Sequence, residues 1–164
     1  MSKKQEVKVE ELESVGRALS KSEAFIEKNQ KPIFIGVGVV VLIVLAIMAF
    51  HNFYQKPREI AAENAMYKAQ EFFAVDSFRV ALEGDGTQIM GFKEIASEYG
   101  MTASGNLANA YTGICYYKLG KYQEAIKFLA QYDGNDNYFK TTVVGLTGDC
   151  YAELGDKGKA QSFY

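Results

Sequence analysis

The sequence predicts an all-α protein in which one N-terminal transmembrane helix precedes a domain of repeated helix pairs. Two observations support this fold class. Residues 33 to 50 read IFIGVGVVVLIVLAIMAF, without a charged residue, and residues 106 to 164 contain an internal repeat with an offset of 35 residues. The 164 residues are 48% apolar and 23% charged, which excludes a disordered composition and leaves room for one modest domain beside the anchor.

The first segment, residues 1 to 30, is predicted to be cytoplasmic and of mixed charge. Leu12, Val15, Leu19 and Ile26 lie at helical spacing, and charged residues fill much of the rest. This pattern is typical of an amphipathic helix that lies on a membrane or against a partner. Because the apolar face is thin, a partly helical, solvated tail stays an equal alternative.

Residues 31 to 55 are predicted to form the transmembrane helix, with residues 33 to 50 in contact with lipid. Eighteen residues at about 1.5 Å per residue cover roughly 27 Å, close to the hydrocarbon thickness of about 30 Å. Aromatic residues such as Phe53 and Tyr54 then suit the headgroup level. A buried core helix and a cleaved signal peptide are the alternatives, and the long, mixed-charge start disfavours the signal peptide.

The basic residues that flank this segment favour an N-terminus in the cytoplasm. Four lie within about 16 positions before it and three within about 18 positions after it, so the bias is small. The former are Arg17, Lys21, Lys28 and Lys31, and the latter are Lys56, Arg58 and Lys68. We therefore expect the C-terminal domain on the opposite side of the membrane.

Residues 57 to 164 are predicted to form the repeat domain. Residues 111 to 120 read YTGICYYKLG and residues 146 to 155 read LTGDCYAELG, with six identical positions. Ala125 and Ala160 extend the match into the following helix. Matching segments at a fixed offset indicate one structural unit that is used more than once.

The repeated positions have definable physical tasks. Gly113 and its counterpart Gly148 let two helices approach closely, at a helix-propensity cost of about 1 kcal/mol each. Tyr116 and Tyr151 are expected to fill the space between the helices of a pair. Gly120 and Gly155 are expected to end the first helix in the left-handed conformation.

This pattern resembles the tetratricopeptide repeat, a helix-turn-helix unit of about 34 residues, so we expect a tetratricopeptide-like α-solenoid. Upstream of residue 106 the resemblance weakens. Residues 59 to 73 and 91 to 96 would be the two helices of a degenerate first repeat, separated by an irregular stretch from residue 76 to residue 90. Tyr164 falls inside a second helix, so we expect a truncated last repeat or a partner that covers its open face.

The sequence predicts neither a catalytic site nor a metal or cofactor site. His51, the single histidine, lies at the membrane boundary, far from Cys115 and Cys150. The two cysteines occupy equivalent repeat positions, about 8 to 10 Å apart, whereas a disulfide needs Cα atoms within about 7 Å. We therefore expect two buried, unpaired thiols and a protein that is not an enzyme.

Two loops rich in aspartate and glycine are predicted to be plain turns. In residues 133 to 137, DGNDN, a calcium loop would need Gly and Glu further on, where Tyr138 and Val144 stand. Residues 84 to 86, GDG, follow no evident strand, so a turn is favoured over a phosphate-binding loop.

What remains is binding to other proteins. Tetratricopeptide arrays usually bind extended peptides or helices on the face lined by the first helices, and an ordinary solvated helix face is the alternative here. By repeat register, eight residues are expected to face that groove: Asn106, Ala110, Ile114, Tyr117, Lys118, Asp149, Ala152 and Glu153. Nucleic acid is not an expected partner, because residues 57 to 164 hold ten Lys/Arg against fourteen Asp/Glu.

The whole arrangement resembles the ancillary SecYEG translocon subunit family. The exit of the apolar segment, FYQKPR at 53 to 58, carries this resemblance, and residues 69 to 73, 81 to 86 and 105 to 108 are similar to the variant found in Bacteroidota. The resemblance covers most of residues 20 to 164. It implies a bacterial inner-membrane protein with a periplasmic repeat domain that binds Sec translocon subunits, periplasmic chaperones or emerging secreted chains. A scaffold for envelope assembly or cell division is the alternative.

Overall fold

A computed structural model describes residues 27 to 164 of the chain. The predicted amphipathic helix at residues 12 to 26 lies outside them. The described chain divides between Ala49 and Phe50 into two compact units.

The described part of the first unit contains helix α1, Gln30–Phe50, except for its last residue, Phe50, which belongs to the second unit. Pro32 lies in its first turn, where its missing N–H would have no partner within the helix. An 18-residue window of this helical stretch has a mean hydropathy of 3.2, and none of it is buried. In the described chain this is the one helix long and apolar enough to cross a membrane. Its exposure disfavours the alternative of a buried core helix.

The second unit begins at Phe50, and its π-helical turn, His51–Gln55, leads directly into helix α2, Lys56–Ala74. The N–H of Lys56 donates to the carbonyl of His51, five residues earlier. Pro57 has no N–H to donate, and its ring would clash with a carbonyl four residues earlier in a regular α-helix. The wider turn just before Pro57 relieves that clash, so the helix continues where the sequence predicted a boundary.

Six shorter helices complete the second unit. They are α3, Phe78–Glu83; α4, Phe92–Glu98; α5, Ala103–Lys118; α6, Tyr122–Leu129; α7, Asn137–Glu153; and α8, Lys157–Phe163. The most extensive packing joins α5 to α6, α4 to α5, and α7 to α8. The prediction of an irregular stretch from residue 76 to residue 90 is wrong over α3, whose Ala81 and Leu82 are fully buried.

The helix pairs α5–α6 and α7–α8 pack through equivalent residues. Tyr116 stacks on Phe128 and, 35 positions later, Tyr151 stacks on Phe163, each with ring centroids 5.5 Å apart. Gly113 faces Leu129, where an added Cβ would lie 2.6 Å from the leucine side chain. The tasks predicted for the repeated tyrosines and for Gly113 are therefore confirmed.

Helices α5 and α7 both end as predicted. Gly120 follows α5 with a φ of 72°, and Gly155 follows α7 with a φ of 79°. Residues other than glycine rarely adopt these φ angles, because their Cβ would crowd the backbone. Cys115 and Cys150 lie in the core as free, fully buried thiols, which confirms the prediction that they do not pair.

The two aspartate loops are turns held by side-chain caps. One oxygen of Asp85 accepts hydrogen bonds from the backbone N–H groups of Thr87, Gln88 and Ile89 at 2.8 to 2.9 Å. Asp136 caps the N-terminus of α7, where its side chain accepts from the N–H of Tyr138 at 2.9 Å. Both carboxylates are thus engaged with backbone donors, as in ordinary turns.

Candidate functional site

A surface pocket of about 710 Å³ lies beside α5, between its N-terminal half and the start of α7. We call it the aromatic groove. It is lined by Gly100, Met101, Thr102, Ala103, Asn106, Leu107, Tyr111, Tyr132, Asp133, Gly134, Asn135, Asp136 and Phe139. Three aromatic rings and three further apolar side chains form its wall, and two carboxylates lie at its loop side.

The rings of the aromatic groove are held in place by other rings. Tyr111 stacks on the fully buried Phe92 at 4.9 Å and meets Phe73 edge-on at 5.3 Å. Phe139 lies 6.2 Å from Tyr111 and meets Tyr132 edge-on at 5.3 Å. Because these half-buried rings are already fixed, a ligand that contacts them loses little side-chain entropy on binding.

The N-terminus of α5, at one end of the groove, is anchored from α2. The carboxylate of Glu59 accepts hydrogen bonds from the N–H of Ala103 at 2.7 Å and from the N–H of Ser104 at 3.0 Å. Thr102 caps the same turn through its hydroxyl, which accepts from the N–H of Gly105. Glu59 therefore satisfies helix donors and is not a free acid or base.

The loop side of the groove is tied to α5 by Asn106, whose side-chain oxygen accepts from the N–H of Asp133 at 3.0 Å. Asp133 also pairs with Lys140 at 3.3 Å. Burial, and to a smaller degree the charge of Asp136, raises the pKa of Tyr132. Its hydroxyl therefore keeps its proton at neutral pH and can donate a hydrogen bond.

Three of the predicted groove residues meet at the other end of α5. Tyr117 is half-buried with its ring 5.7 Å from Tyr122, and burial followed by the charges of Asp149 and Glu153 raises its pKa. The hydroxyl of Tyr164 donates to Asp149, and this bond raises the pKa of Tyr164. These residues place protonated tyrosine hydroxyls near carboxylates. They do not place a general base within a cleft.

The remaining predicted site residues are dispersed. Of the eight, Asn106 alone lines the aromatic groove. Ala110 is fully buried in the core, so it contributes to packing and offers no surface to a partner. Ile114 is half-buried against the same core, whereas Lys118 and Ala152 are exposed.

The apolar wall of the groove was missed by the sequence reasoning. Leu107, Tyr132 and Phe139 lie outside the matching segments, and repeat register does not place them. Tyr111 had one available signal, because it opens the repeated segment at a position where its counterpart is Leu146, also apolar. An apolar residue at both positions fits a helix face that is covered or that binds.

No group of three or more His, Cys, Asp or Glu in residues 27 to 164 could hold a metal ion. Burial raises the pKa of Cys115 to about 12 and the pKa of Cys150 to about 11, so neither thiol is an available nucleophile at neutral pH. No family model, curated protein or solved structure matches this chain. A function must therefore be inferred from the structure itself, and the structure offers a preformed apolar surface.

Proposed function

We propose that this chain is an inner-membrane-anchored module for protein–protein interaction, in which α1 is the anchor and the aromatic groove is the binding surface. The observation that carries the proposal is the fixed set of half-buried rings at Tyr111, Tyr132 and Phe139 beside a helix end. An enzyme would need positioned acids, bases or nucleophiles, and the groove offers hydrogen-bond acceptors that are already engaged.

The fold we propose for the second unit is a tetratricopeptide-like α-solenoid. Its support is the equivalent packing of Tyr116 on Phe128 and of Tyr151 on Phe163, together with left-handed glycines at the ends of α5 and α7. The pairs α2–α3/α4, α5–α6 and α7–α8 would then be successive repeats, with α2, α5 and α7 as the first helices.

The ligand that suits the groove is an extended segment of another protein with apolar or aromatic side chains. Met101 is 69% exposed at the groove, and the rings behind it are preformed. Asp133 and Asp136 at the loop side favour segments without clustered acidic residues. A membrane tether raises the local concentration of this groove near chains that emerge at the membrane.

The place of action we propose is the periplasmic face of a bacterial inner membrane, as an accessory to the Sec translocon and to periplasmic chaperones in secreted-protein biogenesis. The support is the resemblance carried by residues 53 to 58 and by the segments that follow. The small basic bias before α1 agrees with a cytoplasmic N-terminus.

The proposal can be tested with a photo-crosslinking amino acid at Met101 in the groove. The matched control carries it at Tyr67, which is similarly exposed at 65% on α2 but does not line the groove. In native membranes we expect adducts at Met101 with Sec subunits, chaperones or secreted chains, and few at Tyr67. Mass spectrometry of the excised adducts identifies the companions.

Other results of the crosslinking experiment would favour the alternative function or refute the proposal. Adducts at Met101 with outer-membrane assembly or division proteins would support the alternative of an envelope scaffold. Equal labelling at both positions, or none at Met101, would refute a binding role for the groove. Protease added to intact spheroplasts should digest residues 57 to 164, and protection of that domain would refute the periplasmic location.

A further inference from the structure

A second surface pocket, of about 600 Å³, lies between α3, α4, α5 and α6. It shares no lining residue with the aromatic groove, so it is a separate site. Its lining residues are Leu82, Glu83, Lys93, Glu94, Ala96, Ser97, Asn109, Phe128 and Gln131. Phe128 and Ala96 form an apolar wall above the fully buried Leu82, and the charged side chains stand at an exposed rim.

Asn109 is the unusual member of this pocket. It is 8% exposed, and its side-chain amide makes no hydrogen bond with any other residue in the described part of the chain. Its amide atoms are not fully enclosed, so they are open to the pocket that Asn109 lines and can bond to a ligand there. At the equivalent position of the next helix pair stands Val144, so the fold itself does not require an amide here.

The rim of the pocket carries an uncompensated negative charge. Glu83 and Glu94 are exposed, and no ion pair involves either of them within residues 27 to 164. Lys93 is the single cation of the lining, which leaves one net negative charge. An apolar wall, a buried acceptor and an acidic rim together select a side chain with an aliphatic stem and a cationic head.

We propose that this pocket binds an arginine side chain of a partner protein. The stem would lie against Phe128 and Ala96, and the guanidinium would donate to the Asn109 oxygen and to a rim carboxylate. Arginine fits better than lysine, because its planar head presents five donors and is more weakly hydrated than an ammonium group. The partner is a protein segment that presents this arginine to the pocket, and the pocket of about 600 Å³ has room for neighbouring atoms of the segment.

The test uses the chain Met1–Tyr164 in detergent micelles with two matched probes, N-acetyl-arginine methylamide and its neutral isostere N-acetyl-citrulline methylamide. Nitrogen-15 NMR follows the side-chain amide of Asn109 during each titration. We expect saturable shifts with the arginine probe at millimolar concentrations and shifts at least several-fold weaker with citrulline. Absence of saturation, or equal response to both probes, would overturn the proposal.

Two rim variants and one control outside the pocket decide whether the charges act as described. Glu94→Gln should weaken arginine binding by about two- to fivefold, whereas Lys93→Gln should strengthen it by a similar factor. Glu63→Gln removes an exposed carboxylate on α2 outside the pocket and should leave the affinity unchanged. All three side chains are exposed, so folding is preserved. An affinity that responds equally to Glu94→Gln and Glu63→Gln would show general charge attraction and refute the site.

The amide is tested separately by Asn109→Leu, which keeps the number and branching of the side-chain heavy atoms but removes the acceptor. Binding of the arginine probe, followed by the backbone amide signals of Ser97 and Gln131, should weaken by about tenfold. Unchanged affinity in this variant would exclude Asn109 from the proposed contact. A variant that fails to fold would leave the decision to the rim variants, whose outcomes are independent of it.

Discussion

Gly113 marks the closest approach of α5 to α6 in the second helix pair. An added Cβ would lie 2.6 Å from Cγ and Cδ2 of Leu129 and 3.1 Å from the backbone oxygen of Ala125. Leu129 is 2% exposed and cannot move aside, so the helix gains nothing from the higher propensity of alanine. The glycine is therefore a packing requirement, which its repetition at Gly148 had indicated.

We expect Gly113→Ala to lower the free energy of unfolding by about 1–3 kcal/mol, because overpacking outweighs the propensity gain of about 1 kcal/mol. The control is Gly145→Ala in α7, where an added Cβ meets nothing within 4 Å. That variant should be stabilised by about 0.5–1 kcal/mol. Denaturant unfolding of both, followed by circular dichroism, checks the opposite signs; the same sign for both would refute the packing argument.

Asp85 organises the loop between α3 and α4 through its side chain. The N–H groups of Ile89, Thr87 and Gln88 hold the pKa of this exposed carboxyl well below its usual value of 3.8. A lowered pKa in the folded state means that the stabilisation is complete above about pH 3.8 and is lost as the pH falls through the folded value.

Asp85→Ala should therefore melt at a lower temperature than the wild type at pH 7, and the difference should shrink below about pH 3.8. Thermal melts at pH 7 and pH 2 measure it. Glu71→Ala, at an exposed position of α2, is the control and should show a small, pH-independent change. A gap between Asp85→Ala and the wild type that is constant with pH would contradict the role of the charge.

The N-terminus of helix α5 is held by a residue from a helix that is distant in the sequence. Glu59 of α2 accepts from two backbone N–H groups of α5 and from the hydroxyl of Ser104 at 2.6 Å. Since α5 carries several residues of the aromatic groove and the packing glycine, this contact joins α2 to the helix that lines the groove.

Removing that contact should destabilise the domain. We expect Glu59→Ala to cost about 1–2 kcal/mol, because helix donors lose a charged acceptor near the positive end of the helix dipole. Glu63→Ala, one turn later and exposed, should change stability by less than about 0.5 kcal/mol. Unfolding curves of the two variants measure the loss of stability in each. Equal losses of stability would mean that Glu59 acts only through helix propensity.

Some features of these helices could be predicted from the sequence, and others could not. Repeat register predicted the ends of α5 and α7 and the stacked tyrosines, since these features depend on neighbours within one helix pair. It missed α3, because six residues are too few to reveal a helical period. It placed Ala110 on an open face, although α5 packs against five other helices, α2, α3, α4, α6 and α7, and has little free surface.

The aromatic groove is a property of the packed domain and not of any single segment. Its rings come from α5, from α7 and from the loop between α6 and α7, and each is fixed by a ring from elsewhere. Sequence periodicity assigns a face within a helix, but it does not report which separate faces converge. This is why the repeats suggest an interaction role, while most of the residues that line the groove could not be predicted from them.

For the whole molecule, the decisive physical question is what solvent surrounds α1. Its apolar side chains are exposed, and Val37, Val41 and Leu45 are each more than 50% exposed, which water disfavours and lipid does not. Arginine at all three positions should release the chain from membranes, since each central charge costs about 2.5–3.5 kcal/mol on insertion. Flotation with membrane vesicles measures this and separates released protein from aggregates. Arginines at exposed Ala61, Asn64 and Tyr67 of α2 are the control and should leave the chain floating; a triple variant of α1 that still floats would refute the anchor.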